Sequence, residues 1–567
     1  MREKKSLNFA FFAAVIIHTV LSFVWERLVF VNVGVNPSGT KAFQGAISDR
    51  AEGLIVFVLT HIFATVMIVC LWKLIFHIVK HFKKEYVLFL VLFALGAVFI
   101  LVLWPEVLTG IAGFDDNLVT YSCGVRMTPD YWHNAYSSII YAAMLLVLPV
   151  NFSITLIQWA MFVYVLAYMF MRLNAARPKS GYFVFLLFLM PSALYIASNG
   201  HRMYHFTILL VLYTAIIAMD IYEQRERTSA EYVKMAVLGA FLSVFRSEGI
   251  IAGVLLYGIY LLFTPDRKFV KVVTRIAVFI VFFAAFYLPN SIGARKYYGK
   301  DYSMINTYDV LRYVLNDKDC SLEYKGAEDD LAALDAVIPL EVIKSAGTEG
   351  YRRYTYNVKG NSDINQSYTD KESGARYMSA YHHIVRHNIK PYLEAQVNSV
   401  SVAMGFGNVF EPGEYTGEAV SLDNWYYCGW DNGIEDFYAG KFTKAWYDNE
   451  LRKDVAATVI GLRDRYIDFC KHRKLYIGGV GLLLLAGVVL FIRGIVAYFK
   501  SRNRVKLAIG YMGLTGVISF AAVCVVMPTS ASIYFIGSLY LLITLILTLI
   551  SYECKSTKKL KKTVENE

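Results

Sequence analysis

The sequence predicts an all-α polytopic membrane protein with about twelve transmembrane helices, one short re-entrant or interfacial helix, and a soluble domain, α/β or irregular, inserted late in the chain. Three observations carry this. The 567 residues are 56% hydrophobic and only 18% charged, with a mean hydropathy of +0.44, more apolar surface than a water-soluble fold can hide. Many apolar runs approach the roughly 20 residues that cross about 30 Å of hydrocarbon at helical rise. The basic residues gather in short connections between those runs.

Taken in order, the first run, Phe9 to Trp25, follows the basic start Met1 to Lys5. No small-residue cleavage site precedes the charged Glu26 and Arg27, so it reads as a retained signal anchor. Leu54 to Trp72 and Tyr86 to Trp104 follow; Trp at their ends fits an aromatic belt, and equally the general abundance of Trp in membrane proteins. Next come Phe152 to Met171, Tyr182 to Ala197, Phe206 to Tyr222, Tyr232 to Phe245, Ile250 to Phe263 and Val272 to Pro289. Leu475 to Phe499, Leu507 to Met527 and Ile533 to Tyr552 close the series. The apolar stretch Asn134 to Pro149 is short for a crossing, and counting it as one would invert everything from Arg172 onward; it reads as the re-entrant or interface-lying helix.

Basic clusters mark the cytoplasmic side. They are Lys73/Lys80/Lys83/Lys84, Arg172/Arg177/Lys179, Arg225/Arg227/Lys234, Arg267/Lys268/Lys271/Arg275, Arg493/Lys500/Arg502/Arg504/Lys506 and the tail from Lys555 to Lys562. Placing them together puts both termini in the cytoplasm and the long connection outside. The formal charge of +11 is thereby assigned to membrane orientation, and nucleic acid is not expected as a partner. The organisation is an N-terminal transmembrane module 1–290, an extracytoplasmic segment 291–473, C-terminal helices 474–554 and a basic tail 555–567. Short basic loops without sorting or retention signals fit a bacterial plasma membrane better than an endoplasmic reticulum.

Segment 291–473 is rich in Asp, Glu, Asn, Gly and Tyr. Its second half interleaves Trp425, Tyr426, Tyr427, Trp430, Trp446 and Tyr447 with Asp431 and Asp436, a mixture that suits sugar stacking or the core of a small domain. The seven cysteines show no metal-ligand spacing; Cys320 and Cys428 are one pair that an oxidising compartment would allow.

Three stretches between spans carry chemistry, all on the side opposite the basic clusters. After the third span stand Asp115 and Asp116, followed by Tyr131, Trp132 and His133. Adjacent carboxylates at a membrane face suit a general base, and equally a helix cap or solvated groups. His201 and Arg202 lie in a tight connection where an arginine can hold a phosphate bidentately or reach for the interface. Arg246 and Glu248 sit between two apolar runs with almost no loop, where ionisable groups either pair or face a polar cavity.

In order and pattern, residues 105–289 resemble the glycosyltransferase-C superfamily of polytopic enzymes that use polyprenyl-phosphate sugars. The likeness rests on the acidic first loop Asp115-Asp116, the aromatic-histidine stretch Tyr131-Trp132-His133-Asn134, the turn from Pro191 to Arg202, and the Arg246-to-Gly249 turn. It differs from many members at His133-Asn134, at Arg202-Met203 and at Ser532-Ile533-Tyr534.

The resemblance implies an inverting glycosyltransferase taking sugar from a polyprenyl-phosphate donor to a surface glycan, lipid or protein acceptor. Asp115 or Asp116 would be the base, and Arg202, Arg246 and His201 would bind the donor phosphate. Tyr131, Trp132, His133 and Glu248 would meet acceptor or sugar. No cofactor is fixed by these residues; a divalent cation between the Asp pair and His133 is compatible with the spacing but not demanded by it. A transporter or flippase, or a polymerase of lipid-linked saccharides, shares the gross layout.

Overall fold

The computed structural model describes residues 2–29, 50–103, 120, 124, 127–131, 134–149, 152–190, 193, 196, 200–265, 268–298, 301–345, 371–404, 449–472, 475–526 and 535–564. Among these the secondary structure is helical, without a strand. The first half holds α1 (Arg2–Val29), α2 (Arg50–Lys80), α3 (Lys84–Leu103), α4 (Ala135–Val147), α5 (Ser153–Ala176), a 3-10 segment (Ser180–Leu189), α6 (Arg202–Glu223), α7 (Ser229–Phe245), α8 (Gly249–Phe263) and α9 (Phe269–Tyr298). Then come α10 (Asp301–Asn316), α11 (Ala327–Asp335), α12 (Leu340–Ser345), α13 (Lys371–His387), α14 (Ile389–Met404) and α15 (Glu450–His472). The last three are α16 (Leu475–Ser501), α17 (Arg504–Val526) and α18 (Ile536–Val564).

Eight described helices are long and apolar enough to cross a membrane, which makes the chain a multi-pass membrane protein. That is fewer than the twelve apolar runs counted in the sequence. Among the described residues the difference lies in helix length: the part of α1 whose side chains are described is Asn8–Val24, and α8 has 15 residues. Of the run from Tyr182 to Ala197, the described residues include most of the ten-residue 3-10 segment, and α7 has 17 residues.

Side-chain contacts fix how the helices run. Arg172 near the end of α5 bonds Asp220 (3.3 Å) and Glu223 (2.6 Å) near the end of α6, so these two helices run parallel and finish together. Arg227, just before α7, grips both oxygens of the same carboxylate, Nε to Asp220 Oδ2 at 2.5 Å and Nη2 to Oδ1 at 2.9 Å. Tyr552 of α18 donates to Glu223, and Arg493 of α16 pairs with Glu553. Tyr232 at the start of α7 donates to Thr264 after α8 (3.1 Å) and carries the Arg275 guanidinium over its ring at 3.3 Å. Phe89 of α3 packs on Phe170 of α5. All these contacts lie at one end of the bundle. Basic residues of the sequence clusters therefore share one face, here called the basic end.

At the opposite, polar end lie the starts of α4 and α6 and the end of α7, because Asn134 donates to the carbonyl of Val244 (2.6 Å) and Tyr141 to that of Gly200 (2.7 Å). The start of α5 is there too, with Gln158 donating to the carbonyl of Ile196 at 2.7 Å. Helices α4 and α5 thus both begin at the polar end, and the chain doubles back between them. All thirteen residues of α4 are buried. Its last carbonyl, on Val147, receives the Nε2–H of His18 (2.8 Å), while Trp72 donates to His18 Nδ1 (3.1 Å). A helix ending inside an apolar bundle needs such a donor, since no water satisfies it there.

The inserted segment differs from the α/β or irregular expectation: its described residues form helices with a small core of their own. Leu311 and Val314 of α10, Leu334 of α11, and Tyr377, Ala380 and Ile384 of α13 make that core. Their three- and four-residue spacing is the helical signal, which composition alone, dominated by polar residues, conceals. Helix α9 also continues to Tyr298, past the sequence boundary at 290. Cys320 carries a free, half-buried thiol whose pKa burial pushes up; Cys428 lies outside the described residues.

The Asp220 cluster yields a stability prediction. Arg227→Ala leaves a fully buried carboxylate with a single arginine and is expected to destabilise by about 3 kcal/mol. Asp220→Ala in the same chain should recover part of that loss. Thermal unfolding of the three detergent-solubilised proteins reads it; a double variant no more stable than Arg227→Ala would contradict the assignment.

Candidate functional site

The polar end brings together four chain segments that the sequence keeps far apart. The first is the approach to α4. Asp130 is fully buried, its carboxylate accepting from the Thr120 hydroxyl (2.8 Å) and its backbone carbonyl from the Asn134 N–H (3.0 Å), while its own N–H donates to Ser138 Oγ at 2.9 Å. Asn134 has φ 131°, a region that residues with a Cβ rarely occupy. Its side chain holds it there by accepting from the Tyr136 N–H and donating to Val244 O, and the next N–H, of Ala135, goes to Asn290 Oδ1 of α9 (2.8 Å). Tyr131 reaches across to donate to Glu52 of α2 at 2.6 Å. Its ring lies so close to Gly293 of α9 that a Cβ there would come within 2.0 Å of it.

The second segment is the start of α6. His201 caps the helix, its Nδ1 accepting from the Met203 N–H at 3.0 Å, and its carbonyl receives the Nδ1–H of His205 (3.1 Å). Arg202 and both histidines are buried, and the Tyr141 ring of α4 packs beside His205. The third segment is the turn from α7 to α8, closed by Gly249 N–H to Arg246 O at 2.9 Å. Within it Arg246 Nε donates to Glu248 Oε1 at 2.7 Å, with side chains only 4% and 11% exposed, and Ser247 donates to the other Glu248 oxygen. Gly249 has no alternative at this position: a Cβ would stand 2.0 Å from the Leu242 carbonyl and 2.8 Å from the ring of Phe206, one turn into α6. That contact sets the Arg202 and Arg246 segments side by side. The fourth contributor is Asn290 on α9, already bonded to the start of α4.

Of the residues that the sequence singles out, Tyr131, His201, Arg202, Arg246 and Glu248 fall in this cluster. Asp115, Asp116, Trp132 and His133 lie outside the described residues. Arg246 and Glu248 take the first of the two readings left open for them, pairing with each other, and the δ nitrogen of His201 serves the helix rather than an anion. Among the described residues no group of three or more His, Cys, Asp and Glu gathers to hold a metal ion.

His205 and Asn290 carry no reading in the sequence, and Asp130 and Asn134 lie in the stretch around Tyr131 without an assigned role of their own. Asp130, Asn134 and Ser138 recur every four residues at the head of an apolar run, which is the legible trace of one polar helical face. Nothing local marks His205 or Asn290, whose partners are distant in the chain or backbone carbonyls. The chain matches no family model, no curated protein and no solved structure.

The turn can be tested apart from any activity. Gly249→Ala is expected to cost about 1–3 kcal/mol through overpacking, lowering the melting midpoint of the solubilised protein. Gly258→Ala on the same helix, with open space around the site, should be neutral or raise stability by up to about 1 kcal/mol. Equal midpoints for the two variants would rule out the close approach.

Proposed function

We propose that this chain is a membrane glycosyltransferase that moves a sugar from a polyprenyl-phosphate donor to a surface glycan, lipid or protein acceptor on the extracytoplasmic side of a plasma membrane. The observation that carries the reading is the burial of Arg202, Arg246, Glu248 and Asp130 at the end of the bundle opposite the basic residues. Ionisable groups inside a membrane protein are expensive and cluster where a charged ligand or a reaction needs them. By the positive-inside rule the basic end is cytoplasmic and this cluster extracytoplasmic. In this reading α1, the 3-10 segment, α7 and α8 also cross, giving about twelve crossings, and α4 is the re-entrant helix.

The chemistry is a displacement at the anomeric carbon. An acceptor hydroxyl oxygen bonds to C1, the C1–O bond to phosphate breaks, and the polyprenyl phosphate leaves with the bonding electrons. The hydroxyl proton goes to a carboxylate, assigned to Asp115 or Asp116. Arg202 and Arg246, both buried at this end, are the donor-phosphate ligands. Tyr131, Trp132 and His133 are assigned to the acceptor approach, and Asp130 and Asn134 fix the head of α4 next to Tyr131. A flippase for the same lipid-linked sugars is the rival, sharing the buried charges but not requiring a proton acceptor.

The test is consumption of radiolabelled polyprenyl-phosphate sugar by membranes holding equal amounts of each protein. Asp115→Asn or Asp116→Asn is expected to slow transfer by about 10²–10⁴-fold. Arg202→Lys, which keeps the charge but loses the bidentate fork, should raise the donor KM more than it lowers kcat. Donor that crosses the bilayer without being consumed would transfer the assignment to a flippase.

A further inference from the structure

Helix α15 is 23 residues long, yet too polar for a crossing: it begins Glu450-Leu451-Arg452-Lys453-Asp454 and carries Arg465 further on. Its sides are nonetheless sharply divided. At about 100° per residue, the buried Arg452 and Ala456 and the half-buried Val459 and Ile460 share one side. That side rests on the tip of α3, where Ala456 packs with Phe99 and Val102 and Arg452 donates to the Val102 carbonyl at 3.3 Å. Leu451, Val455, Leu462 and Phe469 fall within about 40° of one another on a second side. They are 74%, 40%, 59% and 53% exposed. Glu450, Asp454, Thr458 and Arg465, also exposed, occupy the third side, next to that apolar stripe.

An exposed apolar stripe on a membrane protein faces a definite surrounding, and three observations name it. The helix leads into α16, a membrane-crossing helix, after only two intervening residues. Its other end sits on α3, another crossing helix, beside Val98 and Leu101, which belong to the exposed apolar belt of the bundle. The stripe therefore continues that belt at the polar end. A polar side next to the stripe, with both charge signs, is what a helix at a headgroup layer presents to water.

Helix α14 repeats the pattern independently. It packs against α16 and α17, and its exposed Ile389, Leu393 and Val397 follow one another at four-residue spacing along one face.

We infer that α15 is an in-plane helix seated in the lipid headgroup region at the polar end, one side on α3, one in the acyl boundary and one in water. With α14 it holds the inserted helical domain down against the bilayer. The occupant of both stripes is the lipid surface, not a second copy of the chain or another protein.

The test uses the full-length protein in nanodiscs of phosphatidylcholine, with a photo-crosslinking benzoylphenylalanine replacing Leu462, Phe469, Asp454 or Arg465 in turn, and Leu393 on α14. After illumination, mass spectrometry of the labelled peptides reads what each position touches. Leu462 and Phe469 are expected to give at least about tenfold more lipid adduct than Asp454 and Arg465, and Leu393 should behave as Leu462 does. Equal lipid yields on the two sides of α15, or adducts at Leu462 that join two protein chains, would overturn the inference.

Discussion

A helix that enters an apolar bundle and stops must have its last carbonyls satisfied by protein, and this requirement at α4 organises the polar half of the molecule. The donor is His18, held in the tautomer that carries its proton on Nε2 by the Trp72 indole on its other nitrogen. At the opposite end of α4, Asn290 and the Asn134 side chain take the first free N–H groups. Helices α1, α2, α7 and α9 are thus tied to a thirteen-residue segment that buries every one of its side chains. Were either end left unsatisfied, several kcal/mol per group would favour a full crossing or expulsion to the surface. The short polar loops before α4 and α6 could then not meet.

The two ends of the bundle use charge in different ways. At the basic end, Asp220 and Glu223 join α5, α6, α18 and the connection before α7 through Arg172, Arg227 and Tyr552. Each of those bonds crosses between segments and so contributes to assembly. The Arg246–Glu248 pair joins residues two apart within one turn. It therefore adds little to helix docking, yet bears the desolvation cost of two buried ions, which attraction between them only partly offsets.

What the sequence revealed follows from the range of each signal. Apolar runs and basic connections are local, and they anticipated a multi-pass bundle whose charged loops share one end. The helical nature of the inserted segment is also written in the spacing of Leu311, Val314, Tyr377, Ala380 and Ile384, which its polar composition conceals. At the candidate site the readable residues were those with unusual local settings, such as Arg246 between two apolar runs. His205 and Asn290 were not readable, because their meaning lies in partners brought close only by folding. Asn134 belongs between these cases: the residue type tolerates positive φ, but only the bonds to Val244 and Tyr136 show why it is needed there.

On the glycosyl-transfer reading, the Arg246–Glu248 pair bears on how the leaving group is stabilised. A sugar linked to polyprenyl phosphate carries one negative charge, whereas the released polyprenyl phosphate approaches two near neutral pH. If the leaving phosphate draws Arg246 away from Glu248, its positive charge becomes available only as the C1–O bond breaks. Stabilisation that grows with the developing charge is the kind that lowers a barrier rather than merely binding substrate. A glutamate two residues from the arginine, on a turn that Gly249 keeps tight, is well placed to hold that charge in reserve.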